Sequence, residues 1–333
     1  MKTLITGGAG YIGSTIASIL IDNGHEPVIL DSLANGREEF VSGRIFYKGD
    51  IADKDLLEKI FEEHPDIESV IHCAAFLVVP ESEEKPYEYY KNNVAKSLEL
   101  FKNLKDQGCQ KIIFSSSASV YGKTSKQEVT EESPLDPGSP YARTKYMMEM
   151  VLSDLCTAYS MRGIALRYFN PIGADPKMRT GLPAKTPTQV LGKMVSVSKG
   201  EEDVFNITGV DWPTRDGSGI RDYIHVWDLA RAHLLAVENF DQAFEKAKGD
   251  YLAVNLGTGQ GVTVKELVQA FENVLGKSIN KKEAPPRPGD VAGAYASCQK
   301  AQDLFGWKAE LSIEQGIADA LKWADERKNV LGF

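Results

Sequence analysis

Residues 6–13, "TGGAGYIG", set glycines at positions 7, 10 and 13 between an apolar, β-branched run and a segment of helical periodicity. The run is "TLIT" (Thr3 to Thr6), short enough for a buried strand. The segment that follows, Ile12 to Asn23, has helical length and a stop at Asn23-Gly24. Without side chains at Gly7, Gly10 and Gly13 the backbone of this turn can approach a pyrophosphate, and the helix start offers free N–H groups and the positive end of its dipole. Glycine spacing alone is weak evidence. Here it stands at the first strand-to-helix turn, and the next strand, "PVILD" (Pro27 to Asp31), ends in a carboxylate. Asp31 can accept both hydroxyls of an adenosine ribose and repels a 2′-phosphate, which favours NAD over NADP.

Outward from this turn, "SVIHCAA" (Ser69 to Ala75), "KIIFSSS" (Lys111 to Ser117) and "IALRYF" (Ile164 to Phe169) read as further buried strands. Lys54 to His64, Tyr87 to Gln107 and Tyr141 to Met161 read as the helices between them. Alternation of this kind predicts an α/β protein: a Rossmann-type, doubly wound parallel sheet covered on both faces. After Asn170 the texture becomes Pro- and Gly-rich, so a smaller C-terminal α/β unit is expected over 170–333 beside an NAD-binding unit over 1–169. "RDYIHVWDLARAHLLAVE" suggests that about 220–250 returns to the first unit.

Composition narrows the class. The 333 residues are 42% hydrophobic and 26% charged, as in ordinary globular proteins, and the net charge of −9 speaks against a nucleic-acid footprint. The basic "KSINKK" (Lys277 to Lys282) reads as a solvated loop. No apolar run reaches the roughly 20 residues that span a bilayer, so no membrane partner is expected. Cys73, Cys109, Cys156 and Cys298 lie far apart without metal spacing, and His25, His64, His72, His225 and His233 form no ligand pattern. The expectation is a cytoplasmic protein with no metal.

"SPYARTK" (Ser139 to Lys145) places Tyr141 and Lys145 four residues apart, on one face of a helix. An ammonium beside a phenol favours the phenolate, and a phenol whose pKa nears the working pH can take a proton from an alcohol. Alone, such a pair is a common surface feature. "FSSSASVYG" (Phe114 to Gly122) changes its weight, because it ends a parallel strand on the carboxyl edge where these sheets bind ligands. Ser117 can then reach the hydroxyl that Tyr141 addresses. Asp50, in "KGDI", is open between an adenine contact and an ordinary strand-end turn.

Together "TGGAGYIG", "SSSASVYG", "YARTK", "RYFNPIGA" and "DGSGIRDYIHVWDLA" resemble the extended short-chain dehydrogenase/reductase family, and within it the UDP-glucose 4-epimerases. The likeness runs nearly the whole chain, through "NLGTGQGVTVKELV" and "RPGDVAGAYA" to "LFGW". It implies reversible inversion at C4 of UDP-glucose and UDP-galactose through a 4-keto sugar, with tightly held NAD, in galactose metabolism. In that scheme Tyr141 is the acid and base, Lys145 its electrostatic partner and Ser117 the hydroxyl at sugar O4. The family pattern puts NAD against Gly7, Gly10, Tyr11, Ile12, Gly13, Asp31, Asn35, Asp50 and Ile51, then Ala74, Asn93, Ser115, Tyr141, Lys145 and Phe169. The nucleotide sugar falls to Ser117, Tyr141, Asn170, Gln189, Thr208, Arg221, Arg287, Asp290 and Ala294. Arg221-Asp222 is equally readable as an internal ion pair. The resemblance also implies a homodimer through the Tyr87 to Gln107 and Tyr141 to Met161 helices.

Some positions depart from the pattern. Leu77 replaces a lysine, Thr208 an aromatic residue and "PTQVL" (Pro187 to Leu191) a different uridine-facing segment, all of which bear on nucleotide grip. Ala294 replaces a larger residue, which suggests room for N-acetylated hexoses. Ala118 and Ser119 stand where related dehydratases carry an acid pair, which disfavours elimination. A reductase releasing its cofactor each turn, an epimerase of another nucleotide sugar and a binding protein without turnover are the competing readings.

Overall fold

The computed structural model describes residues 1–124, 127–287 and 290–332; Pro288 and Gly289 of the "RPGD" stretch lie outside the described residues, as does Phe333 at the end of the expected second unit. Seven parallel strands form the central sheet: β1 (Lys2–Thr6), β2 (Glu26–Asp31), β3 (Ile45–Lys48), β4 (Ile67–His72), β5 (Lys111–Ser117), β6 (Arg162–Tyr168) and β7 (Tyr251–Leu256). Their spatial order is β3-β2-β1-β4-β5-β6-β7. This is the Rossmann arrangement, with the winding reversing between β1 and β4, where a crevice opens at the carboxyl ends of the strands.

Helices α1 (Tyr11–Asp22), α2 (Lys54–Glu63), α3 (Lys96–Asp106), α4 (Pro140–Tyr159) and α5 (Val226–Glu238) cover the sheet. Side chains alternate across a strand, and β5 shows the consequence. Ile112 and Phe114 pack with Met148 and Leu152 of α4, while Ile113 packs with Leu20 of α1 and Leu229 of α5. The helix expected over Tyr87 to Gln107 is broken into Pro86–Tyr90, a π-helical turn at Lys91–Ala95, and α3. The return to the sheet extends past the expected 220–250. After α5 the chain adds β7 as the outer strand against β6.

The later part of the chain packs the helices Val190–Ser198, Val264–Leu275 and Ile313–Leu331 around two short paired strands, Phe205–Thr208 and Lys281–Ala284. Two further pairings tie this part to the sheet's edge. Asn170–Ile172 pairs with Tyr223–His225, and Glu128–Val129 pairs with Tyr295–Ala296. The second brings Ala294 beside the turn that follows β5. Among the described residues no helix is long and apolar enough to cross a membrane.

Candidate active site

The glycine loop has the geometry its sequence asks for. Gly7 holds φ +71°, a left-handed conformation, and a Cβ there would meet the Ala74 nitrogen at 2.6 Å. A Cβ on Gly13 would sit 2.3 Å from the Gly7 carbonyl, so α1 can pack this tightly on the loop only without one. At Gly10 a Cβ would have a single close neighbour, the Gly7 carbonyl at 3.3 Å, which leaves the backbone open to a ligand. Gly10 is also the N-cap of α1; no side chain caps it and no acid occupies the first turn. Free N–H groups and an uncompensated dipole end suit a diphosphate.

Asp31 closes the other side. Its Oδ2 accepts the Ala9 N–H at 3.0 Å and its Oδ1 the Leu33 N–H at 2.8 Å. Burial raises its pKa and the two backbone bonds lower it in part. A carboxylate has about four lone-pair sites, so two remain for a diol. Ile12 lies half-buried on α1 and Asn35 is exposed on the loop beyond β2. The Tyr11 hydroxyl is already spent on the Gly173 carbonyl at 2.7 Å, so only its ring remains for a cofactor.

Asp50 is paired with Lys96 and accepts the Ala52 N–H at 3.0 Å. Burial raises its pKa, but the Lys96 hydrogen bond and the Ala52 N–H outweigh burial and hold the carboxyl below its usual range. It is therefore neither a bare turn carboxylate nor a free acceptor. Asn93, in the π-turn, is buried and engaged: its Oδ1 accepts the Phe76 N–H at 2.8 Å and its Nδ2 donates to the Phe76 carbonyl at 2.9 Å. It clamps the loop after β4, which carries Ala74 and the exposed Leu77. Ile51 is buried against β1 and β2.

Ser117, Tyr141 and Lys145 converge at the end of β5. Ser139 caps α4 by accepting the Ala142 N–H at 3.2 Å, and Pro140 occupies the first turn, which fixes where Tyr141 begins. Tyr141 and Lys145 are both buried, and the Ser117 hydroxyl lies near enough to the phenol to favour its ionised form. Lys145 donates to the Ser115 carbonyl at 2.7 Å and lies 6.0 Å from the centre of the Tyr141 ring.

The expected lowering of the phenol's pKa is corrected here. Burial pushes Tyr141 above its ordinary value and the Ser117 hydroxyl draws it only partway back. Burial also brings Lys145 down to about 8, against the opposing fields of Cys73 and Glu149. The ammonium is thus lost before the free phenol ionises. Its help is available only when something else, such as a cationic ring, brings the phenolate into the range where Lys145 is charged. Ser115 contacts the Cys73 thiol at 3.1 Å and His233 Nε2 at 3.3 Å. Burial holds Cys73 up at about 11, so a neutral thiol faces the ammonium.

The nucleotide side is more dispersed. Phe169 packs with Val120, Tyr121 and Ala296, and Ala294 lies against the same cluster. Asn170 and Gln189 are exposed, and Thr208 is half-buried at the end of its strand. Arg221 and Asp222 do not form the internal ion pair that their sequence leaves open, because each side chain is engaged with other partners. Arg221 donates to the carbonyls of Ile220, Ala292 and Val291 at 2.7, 3.1 and 3.2 Å. Asp222 accepts from Thr258, Gly259 and Ala296. Arg287 and Asp290 pair with each other at 3.1 Å at the surface. Four cysteines are free thiols, and among the described residues no group of His, Cys, Asp or Glu could hold a metal ion.

The sequence reading overlooks a buried ion pair below this site, Glu149 to Arg167 at 2.6 Å. Two signals were available: Glu149 continues the four-residue spacing of Tyr141 and Lys145, and Arg167 is a charge inside an apolar strand.

A parallel sheet of this winding, with a glycine turn, an Asp-ended second strand and a Ser-Tyr-Lys trio whose Tyr and Lys are buried, defines an extended dehydrogenase/reductase-type protein. The NAD dependent epimerase/dehydratase family model matches residues 3–257, and the chain belongs to that family. It is similar to the UDP-glucose 4-epimerase of Bacillus subtilis (strain 168), with 40% identity over 100% of this chain and 99% of the relative. Its fold is similar to the crystal structure of UDP-glucose-4-epimerase from Stenotrophomonas maltophila with bound NAD and formylated UDP-arabinopyranose, at a TM-score of 0.93 and 37% identity over 99% of both chains. It is similar also to the UDP-glucose 4-epimerase from Bifidobacterium longum in complex with NAD+ and UDP, at 0.91 and 38% identity over 100% of both.

Proposed function

We propose that this protein is an NAD-dependent isomerase that interconverts UDP-glucose and UDP-galactose by inversion at C4. The observation that carries the reading is the convergence of Ser117, at the carboxyl end of β5, with the buried Tyr141 and Lys145 of α4, at the carboxyl edge beside the glycine loop. The loop fits the cofactor: Gly10 leaves its backbone open, the first turn of α1 is uncapped, and Asp31 keeps acceptor capacity for a ribose. Ser119, in the turn after Ser117, carries a buried hydroxyl with no protein partner, as befits a ligand-lined wall.

Bound there, NAD supplies a reversible hydride acceptor for C4. Tyr141 takes the proton from O4 as a phenolate and later returns it. Ser117 hydrogen-bonds the same oxygen and keeps the phenol pointed at it. Lys145 steadies the phenolate through the low-dielectric interior, where a charge acts more strongly than in water. The 4-keto hexose turns about its link to the diphosphate and offers its other face.

Such a scheme asks for a firm nucleotide and a loose hexose. Arg221 spends three of its N–H donors on carbonyls and keeps two for a phosphate. The surface pair Arg287–Asp290 is weakly held and can reopen onto a ribose. Asn170 and Gln189 are exposed and Thr208 is half-buried, and all three are open to such a nucleotide. The small Ala294 leaves space at the sugar's 2-substituent, so N-acetylated UDP-hexoses are accepted as well. Two units, 1–169 and 170–333, hold cofactor and nucleotide sugar respectively, with α5 and β7 returning to the first.

The protein works as a homodimer. Tyr87, Leu98, Met147 and Met150 are exposed apolar side chains on the Pro86–Asp106 segment and α4, and a second copy would cover them. Its four free thiols suit the cytoplasm. Proton NMR of the purified protein with UDP-galactose and no added nucleotide tests the reading. Appearance of UDP-glucose establishes both the reaction and a retained cofactor; no conversion, even with NAD supplied, refutes it.

A further inference from the structure

Tyr141, Lys145 and Glu149 lie along one face of α4, yet only the first two reach the crevice. Glu149 is 3% exposed and points beneath it. Its Oε1 accepts the Ser116 hydroxyl at 2.5 Å, and its oxygens accept Arg167 Nη2 at 2.6 Å, Arg167 Nε at 3.0 Å and the Tyr251 hydroxyl at 3.1 Å. Arg167, on β6, spends its other nitrogen on the Tyr121 hydroxyl at 3.1 Å. Tyr121 ends the turn Ala118–Tyr121 that follows Ser117, and its hydroxyl donates onward to Asn255 of β7 at 2.6 Å.

The two flanks of Ser117 are therefore tied to one ion pair, Ser116 to its carboxylate and Tyr121 to its guanidinium. That carboxylate sits on the helix that carries Tyr141. We propose that Glu149 and Arg167 are positioning residues, which grip the peptide of Ser117 from both sides and so set the spacing of the Ser117 and Tyr141 hydroxyls. The proposal rests on the C4-epimerase reading above and deepens it.

Stability alone gives a weak reason for such a pair. Burying two charges costs desolvation, and a well-packed apolar pair often serves a core as well or better. An apolar pair, however, supplies no directional bonds to Ser116 or Tyr121. Strand pairing fixes β5 against β6; apolar packing and the Lys145 bond to the Ser115 carbonyl hold α4 on β5, and the carboxylate adds a directional bond at Ser116, next to Ser117. A displacement of about 1 Å at reacting groups costs on the order of 100-fold in rate, so this spacing matters.

The test compares wild type with Glu149→Gln, which keeps the shape and loses the charge, and with Tyr121→Phe, which keeps the core ring and cuts the tie to the guanidinium. Each is measured for kcat, KM, the deuterium isotope effect at C4 and hydrogen exchange of residues 115–121. We expect kcat to fall ~10-fold or more in Glu149→Gln with KM within about twofold, since no substrate contact is removed. Tyr121→Phe should fall less. In both the isotope effect grows, because the hydride step becomes more limiting, and exchange quickens at 115–121 while β1 and β2 stay protected. Unchanged kcat in both variants overturns the proposal. So does a fall with the wild-type isotope effect and exchange raised evenly along the chain, which would mean that the pair only holds the fold. If wild type converts no UDP-hexose, the reading beneath fails instead, and exchange at 115–121 still decides the clamp: local quickening supports it and an even rise overturns it.

Discussion

Replacing Lys145 with methionine isolates what its charge does for the phenol. The ammonium lies 6.0 Å from the centre of the Tyr141 ring, and both side chains are buried. With an effective dielectric of about 20, a unit charge at 6.0 Å is worth ~3 kcal/mol to the phenolate. That is a factor of ~100 in the phenolate population at fixed pH. In the proposed scheme Tyr141 takes the O4 proton only as phenolate, so kcat of Lys145→Met should fall ~100-fold near neutrality, measured as initial rates at saturating UDP-hexose.

The pH profile makes the same argument with the opposite lever. Burial brings Lys145 down to about 8, so its charge is present below that pH and lost above it. The wild-type rate should flatten or fall as pH rises through about 8, whereas the variant, with no ammonium to lose, should keep rising as its phenol ionises. Folding gives a control. Unfolded, the lysine keeps its proton to about 10.4; between about 8 and that value the unfolded chain binds more protons, so wild-type stability rises with pH. At neutral pH methionine removes the cost of a buried charge, and the unfolding midpoint should hold or increase. A variant within threefold of wild-type kcat, or one that keeps the limb near 8, would refute the reasoning.

Gly13→Ala puts a Cβ at 2.3 Å from the Gly7 carbonyl, a backbone atom that cannot step aside. The strain of such overpacking, ~1–3 kcal/mol, should lower the unfolding midpoint and empty the protein of NAD; a variant purified with full NAD content speaks against the loop assignment. Asp31→Asn replaces one of two oxygens that accept Ala9 and Leu33 N–H groups by an NH2. One buried donor is left facing a donor, at ~1–3 kcal/mol, and the NAD retained through purification should drop; unchanged retention assigns Asp31 to the loop alone. Ala294→Tyr fills the space beside Val120, Tyr121 and Phe169. It should reduce turnover of N-acetylated UDP-hexoses relative to plain ones, and an unchanged ratio removes Ala294 from substrate selection.

The legible parts of this chain are those whose partners lie close in sequence. The glycine turn, Asp31 at a strand end and the four-residue step from Tyr141 to Lys145 are local patterns, and each stands where its spacing puts it. Long-range partners are what spacing does not carry. The helix expected over Tyr87 to Gln107 has uniform periodicity, yet it loosens into a π-turn at Lys91–Ala95, where Asn93 turns its amide to the Phe76 backbone. Asp50 finds Lys96, and Arg221 finds the carbonyls of Val291 and Ala292, across breaks that no periodicity spans. Glu149 and Arg167 were visible as charges in apolar surroundings, but that they address each other and the flanks of Ser117 follows only from the sheet order.

Burial has a double effect on the two titrating groups. It disfavours the phenolate of Tyr141 and the ammonium of Lys145 alike, so the protein by itself holds a neutral phenol and a lysine poised near 8. The same exclusion of water multiplies the attraction between any charges that do form. A cationic ring in the crevice would meet a phenol with Ser117 beside it, and the phenolate it induces would lie within reach of the ammonium. In the proposed scheme desolvation thus makes the ionisation of Tyr141 depend on a cationic cofactor being in place. A catalyst that must never part from its reduced cofactor mid-reaction gains from that dependence, because the proton then leaves O4 only when a hydride acceptor for C4 is present.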